Sequence, residues 1–371
     1  MANCMTIFQF LIHLIFLQLI LAHAQQQDDD QSGFISLDCG RPNGYTDRDT
    51  GLRYNSDYDF IDSGVSHMIA PEYQSKFLYQ QFLYVRSFPK GTRNCYTLKV
   101  PPKANVGSRS KFLIRGRFLY ANYDNNHSLP SFDLQIGVDL WDRVQIYNES
   151  VPIRKEIIYV PKSDFIQVCL INTNSGIPFI SALEIRPLNN TIYRTKYSLN
   201  YYQRWDLASS TNSLYRYKDD VYDRIWLPVD LDDSTSTLAT TSRIMPSEYQ
   251  LPNVVMNTAS VPKNPNDSLV LTWDSTNNIT DQFYIYLHFA ELTPNSTRIF
   301  DIYVNEKLLF GHYSPKYLHA QTTTGQLDVS STYKLSLNAT KNSLLPPLLN
   351  AIDLYTIKQT LNSQTNDQDG K

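Results

Sequence analysis

FDLQIGVD, residues 132–139, alternates apolar and polar side chains. A period of two belongs to a strand with one face in a core, so Phe132, Leu134, Ile136 and Val138 are expected to point inward and the polar residues toward water. The pattern returns 168 residues later as FDIYVN, Phe300 to Asn305. Other pairs keep nearly the same distance. FLIRGRF from Phe112 matches FYIYLHF from Phe283, 171 residues on, and PFISALEIRPL from Pro178 matches PLLNAIDLYTI from Pro347, 169 on. Tyr58-Asp59 pairs with Tyr222-Asp223, 164 on. Each match is short, but four landmarks in one order at nearly constant offset read as a tandem duplication. The period far exceeds that of solenoid repeats, so each copy is a whole domain.

Both copies consist of short apolar segments broken by Pro, Asn, Asp and Ser. Strands are predicted at Phe34–Cys39, Tyr96–Val100, Phe112–Tyr120, Phe165–Asn172 and Ile180–Arg186, then at Leu269–Trp273, Phe283–Leu292, Tyr333–Leu337 and Ala351–Ile357. Helical periodicity is missing from the chain beyond its first residues. The 26 Tyr and 17 Phe against 13 Gly fit the same reading. The fold class expected is all-β, one antiparallel jelly-roll sandwich per copy. The charge is mixed, 33 basic against 36 acidic residues for a net −3, with no basic face to attract nucleic acid.

Ile7 to Ala22 is an apolar run followed by Ala22-His23-Ala24, which reads as a secretory signal cleaved before Gln25, although no Lys or Arg precedes it. The alternative is an uncleaved anchor, for which a run of about 16 residues is short. Asn-x-Ser/Thr occurs at Asn126, Asn148, Asn189, Asn266, Asn278, Asn295 and Asn338, marking these as glycosylation candidates on a secreted chain. Cys39, Cys95 and Cys169 remain after cleavage. An oxidising compartment permits one pair and leaves one thiol over, with the pairing open. No CxxC or Cys/His cluster is present, so neither a metal nor a cofactor is expected.

FISLDCGRPNGYTDRDTGLRYNSDYDFID (34–62), LYVRSFPKGTRNCYTLKVPP (83–102), RYKDDVYDRIW (216–226), YLHFAEL (286–292) and NAIDLYTI (350–357) together resemble the tandem malectin-like extracellular region of plant receptor kinases. They are most similar to the group in which this region precedes leucine-rich repeats, a transmembrane helix and a kinase. The resemblance implies two malectin-like jelly rolls side by side at the extracellular face of the plasma membrane, and no ligand by itself. The organisation expected is a signal peptide at 1–24, a polar linker at 25–33, malectin-like domains at 34–187 and 188–357, and a disordered polar tail at 358–371. The tail resembles the linker that leads to the repeats in full receptors. No leucine-rich repeat, second apolar run or kinase motif stands in these 371 residues. A truncated receptor and a soluble ectodomain-like protein both fit. Membrane association is expected only through the receptor family or an uncleaved N-terminal segment.

Animal malectin holds sugar with aromatic rings and an acidic side chain at the loop end of its sandwich. Ring faces meet the C–H faces of sugars, while hydroxyls need planar polar partners. By resemblance, Tyr120 and Tyr123 are the nearest counterparts in the first copy. The second reads Phe289-Ala-Glu291-Leu-Thr-Pro294, without the following aromatic, and neither copy has a clear counterpart of the acid. The plainer alternative is that these tyrosines pack in the sandwich. LYRYKDDVYDRIW (214–226) adds Tyr217, Tyr222 and Trp226 as binding candidates. Its cadence recurs in LRYNSDYDFID (52–62) at Tyr54, Tyr58 and Asp59, which favours a framework role for Tyr217, Tyr222, Asp223 and Trp226 as loop anchors, with Asp223 bonded to neighbouring backbone or to Arg224. Catalysis is disfavoured. Asp219-Asp220 and Asp232-Asp233 are adjacent and cannot converge, and His67, His127, His288, His312 and His319 are scattered without a nucleophile or metal motif. Two functions remain: recognition of a secreted peptide or co-receptor protein, and binding of a cell-wall glycan.

Overall fold

The computed structural model describes residues 31–100, 110–275 and 281–358. The signal run with its cleavage site, most of the 25–33 linker, Asn278 and nearly all of the 358–371 tail lie outside these residues.

The first copy is a sandwich of two sheets. One runs Ile35–Asp38, Ala182–Leu188, Lys111–Phe118, Ile153–Tyr159; the other runs Arg93–Lys99, Phe165–Ser175, Ser131–Ile136, Asp139–Gln145. The second copy repeats both orders with Ser198–Leu207, Ala351–Lys358, Phe283–Phe289, Gln321–Gln326 and with Leu269–Asp274, Thr332–Ala339, Phe300–Val304, Lys307–Tyr313. Alternation sends one side of every strand into a core. Phe112, Ile114 and Phe118 meet Phe132, Leu134 and Tyr96 between the first pair of sheets. Phe283, Ile285 and Leu287 meet Phe300, Ile302 and Leu335 between the second pair. Phe132 and Phe300, both fully buried, hold matching places: one pairs with Asn172 and Val144, the other with Ala339 and Tyr313.

The copies are fused through backbone. Ile153–Tyr159, outermost in the first copy, pairs antiparallel with Ser198–Leu207 through Ile157–Asn200 and Ile158–Leu199. Two sheets thereby become one of eleven strands. Cys95 and Cys169 sit opposite each other on neighbouring strands and form a disulfide, while Cys39 is a buried free thiol.

Two expectations are corrected. Val138 is 38% exposed rather than inward, because the chain turns at Gly137 (φ +58°) and Ile136 already pairs with Asp139 across a two-residue hairpin. The match of Tyr58-Asp59 to Tyr222-Asp223 also fails in space. Tyr222 and Asp223 precede Leu227–Val229, which runs parallel to Ser198–Leu207. The corresponding parallel strand of the first copy is Arg53–Ser56, and Tyr58-Asp59 follows it. Asp223 is fully buried, whereas Tyr58 is 54% exposed.

Candidate functional site

On strand Lys111–Phe118 the residues between the core positions include Arg115 and Arg117, on the face that a simple sandwich leaves to water. Here that face is covered. The 215–226 segment closes on itself through reciprocal backbone bonds between Tyr215 and Trp226 (3.1 and 2.8 Å) and lies over the arginines. Arg115 is completely buried and binds Glu156 (2.9 Å), Glu184 (2.6 Å) and Asp223 (3.3 Å). Asp223 also receives Arg216 and Arg186, each at 2.8 Å, and the Tyr217 amide at 3.2 Å. Arg204 bridges Glu156 (2.9 Å) to Asp353 (2.8 Å). Arg224 pairs with Asp220 (2.8 Å) and reaches the same network through the Tyr193 hydroxyl, which donates to Asp353 at 2.6 Å. Five guanidiniums therefore face five carboxylates inside the junction of the two copies. Burial alone would raise the carboxyls of Glu184, Asp223 and Asp353. The guanidiniums of Arg216 and Arg115 at Glu184, Arg216 and Arg186 at Asp223, and Arg204 at Asp353 outweigh it and hold all three below the ordinary range.

The candidates of this segment are parts of that lid. Trp226 is fully buried and donates its indole N–H to Asp220 (2.7 Å); Tyr217 is buried; Tyr222 is half-buried with Arg224 over its ring at 5.3 Å. Of the two partners expected for Asp223, neighbouring backbone is found in the Tyr217 amide, while Arg224 turns to Asp220 and leaves Asp223 to Arg216, Arg186 and Arg115. Sequence reasoning missed the arginines and glutamates of the junction. Their signal was charged residues inside apolar strands, at Arg115, Glu184, Arg186 and Arg204.

At the loop end of the first copy, Tyr120 and Tyr123 are 1% and 6% exposed. The Tyr120 hydroxyl donates to Asp124 (2.6 Å) and accepts from the Ser128 amide (3.1 Å). Its ring packs on Tyr123 (5.4 Å) and Phe179 (6.0 Å), and Tyr123 packs on Phe179 as well (5.2 Å). In the second copy Glu291 is taken up by Arg298 (2.7 Å) and by the amides of Leu292 and Thr293. Asn126 and Asn295 are exposed on the same connection of their copies, after Lys111–Phe118 and Phe283–Phe289. Asn148, Asn189 and Asn266 are exposed too, and Asn338 is half-buried within its strand.

Asp220 is buried and bonded while its neighbour Asp219 is exposed, and Asp232 and Asp233 are both exposed. Among the described residues no group of three His, Cys, Asp or Glu side chains is placed to hold a metal ion. Among the described residues, two clefts bear on binding. One, of about 550 Å³, lies in the first copy between Tyr58, Asp59, Asp62 and Arg93, Asn94. The other, of about 410 Å³, lies between Arg194, Tyr249, Tyr286, Phe310 and the Thr322–Thr324 edge.

Paired jelly rolls joined by one sheet, with a lid closing their charged junction, define a tandem β-sandwich module. The chain belongs to the malectin-like domain family, whose model matches residues 37–357. It is 43% identical over 350 residues to a putative leucine-rich repeat receptor-like protein kinase of Arabidopsis thaliana, covering 92% of this chain and 39% of the relative. It is 41% identical over 367 residues to a probable LRR receptor-like serine/threonine-protein kinase of the same plant, covering 96% and 40%. The chain thus spans about two fifths of the length of these relatives, whose kinase parts it does not cover. In fold it resembles the ANX2 ectodomain of Arabidopsis thaliana (TM-score 0.75, 15% identity, 90% of this chain and 99% of that one). It also resembles a chain from the plant peptide RALF23 complex with FER and LLG2 (TM-score 0.70, 16% identity, 88% and 96%).

Proposed function

We propose that this chain is a non-catalytic extracellular recognition module of a plant cell-surface protein, made through the secretory pathway, and that it engages a secreted peptide or co-receptor protein rather than a small cell-wall sugar. The observation that carries the preference is the burial of Tyr120 and Tyr123. A stacking platform needs a free ring face, and these rings are spent on Phe179 and on each other. The similar chain found in a complex with RALF23 and LLG2 supports a peptide or co-receptor partner in the same spirit. The exposed sequons at Asn126 and Asn148 fit secretion, and a glycan at Asn126 would crowd a small-sugar mouth beside Tyr120. The two copies, taken as domains at 34–187 and 188–357, are joined by backbone pairing and by the charged junction, both of which cross between them.

The test separates the two partner classes. The glycosylated chain is titrated with short glucans by calorimetry and presented, separately, with immobilised secreted peptides. Peptide or co-receptor binding without glucan binding is the expected outcome. Glucan binding that Tyr123→Ala weakens would instead make this chain a lectin-like protein.

A further inference from the structure

Granted the peptide- or protein-binding reading, we propose that the edge strand Gln321–Gln326 receives an extended peptide segment of the partner as an added strand. The duplication provides the precedent. Ile153–Tyr159 and Gln321–Gln326 hold the same position in the two copies, each outermost beside the matching strands Lys111–Phe118 and Phe283–Phe289. In the first copy this edge is covered by Ser198–Leu207, running antiparallel. In the second copy no strand covers it among the described residues.

The register shows which groups are open. Leu327 donates its amide to Phe283, and Thr323 stands opposite Leu287, so the odd-numbered residues bond inward to Phe283–Phe289. Thr322 and Thr324 then turn their N–H and C=O outward. No backbone hydrogen bond of the described residues reaches those groups. A row of unpaired edge groups is a template for another strand.

The edge opens onto the cleft of about 410 Å³, and the cleft is built for a polar occupant. Tyr286 is 1% exposed, lines the cleft, and has no hydrogen-bond partner for its hydroxyl; it stands opposite Thr324 of the edge strand, on the same face. Buried hydroxyls are normally satisfied, so that of Tyr286 can take a donor or acceptor from an occupant. Tyr249 and Phe310 supply apolar wall. Exposed Arg194 and Glu248 stand at the rim, neither in an ion pair among the described residues. The occupant that fits is an extended peptide of mixed charge carrying a polar side chain directed at Tyr286.

Random ten-residue peptides displayed on phage are selected on the whole secreted chain, and the strongest binder is measured by fluorescence polarisation. Thr324→Pro removes an outward N–H that the sheet does not use, which an edge strand tolerates. It should weaken binding at least tenfold, and Tyr286→Phe severalfold, while amide exchange at Thr322 and Thr324 slows when peptide is added. Should Thr324→Pro fail to fold, Tyr286→Phe and the exchange data decide. Binders indifferent to both substitutions, or amides at Thr322 and Thr324 that exchange as before, overturn the edge as the site and leave peptide binding itself standing. Selection that yields no binder also overturns it, as does a chain dimer dispersed by Thr324→Pro, which would give the edge to a second copy.

Discussion

Raising the pH from 5 to 8 should destabilise this protein, and two aspartates give the reason. Asp38 and Asp206 stand 168 residues apart at the same position of the two copies, one paired with Ala182 and the other with Ala351. They are 1% and 0% exposed, and neither carboxylate accepts a well-formed hydrogen bond. Burial pushes each carboxyl up to about 7. The Tyr45 hydroxyl and Arg41, 3.7 Å away, pull Asp38 back only in part, as Ser209 and Thr258 do Asp206. An unfolded aspartate titrates near 3.9. The folded value is the higher, so each group's stabilisation is complete below about pH 4 and disappears as pH rises through 7. Integrated between pH 5 and 8, this is roughly 2–3 kcal/mol per group, about 5 for both. Urea denaturation followed by tryptophan fluorescence at pH 5, 6, 7 and 8 measures it, with an unchanged m-value as the sign that the same transition is being compared. The variant carrying Asp38→Asn and Asp206→Asn should lose most of the slope. A double variant whose stability falls with pH as steeply as the parent's would show that neither carboxyl is held protonated.

Below pH 4 the slope should reverse. Glu184, Asp223 and Asp353 sit below their ordinary range, so the stability they contribute is present above about pH 4 and is lost as pH falls toward their folded values; the same titration extended to pH 2 checks this. Asp223→Asn leaves Arg216, Arg186 and Arg115 with one buried positive charge in excess and should remove about 3–5 kcal/mol, measured by urea midpoint. Phe132→Ala and Phe300→Ala should each remove about 3–5 kcal/mol by the same measurement, because both side chains are fully buried at matching positions. Mass spectrometry of protein made in plant cells should find Gln25 at the N-terminus and glycans on Asn126 and Asn295; a chain retaining residues 1–24 in a membrane fraction would refute secretion.

Much of the architecture was legible in the chain because alternation and repetition are local properties. FDLQIGVD and FDIYVN name two central strands, and their common offset implies two copies of one fold. Three of the four landmarks hold in space. The fourth, Tyr58-Asp59, matched in composition while its backbone lay on the other side of a strand, which no short match can detect. Val138 was misplaced for a similar reason: alternation continues through a two-residue turn in the letters but not in the backbone.

The all-β class, the duplication and the sequons were legible because each follows from spacing along one chain, and the family from motifs that resemble known ones. The pairing of Cys95 with Cys169, the burial of Tyr120 and Tyr123, and the fate of Arg115, Arg186 and Arg204 depend on contacts between distant parts of the folded chain. Read from a strand, an arginine between apolar neighbours points to water. Here it points into the space that the 215–226 segment closes, more than a hundred residues from Arg115 along the chain, and it is the approach of Asp223 across that distance that makes the buried charge tenable.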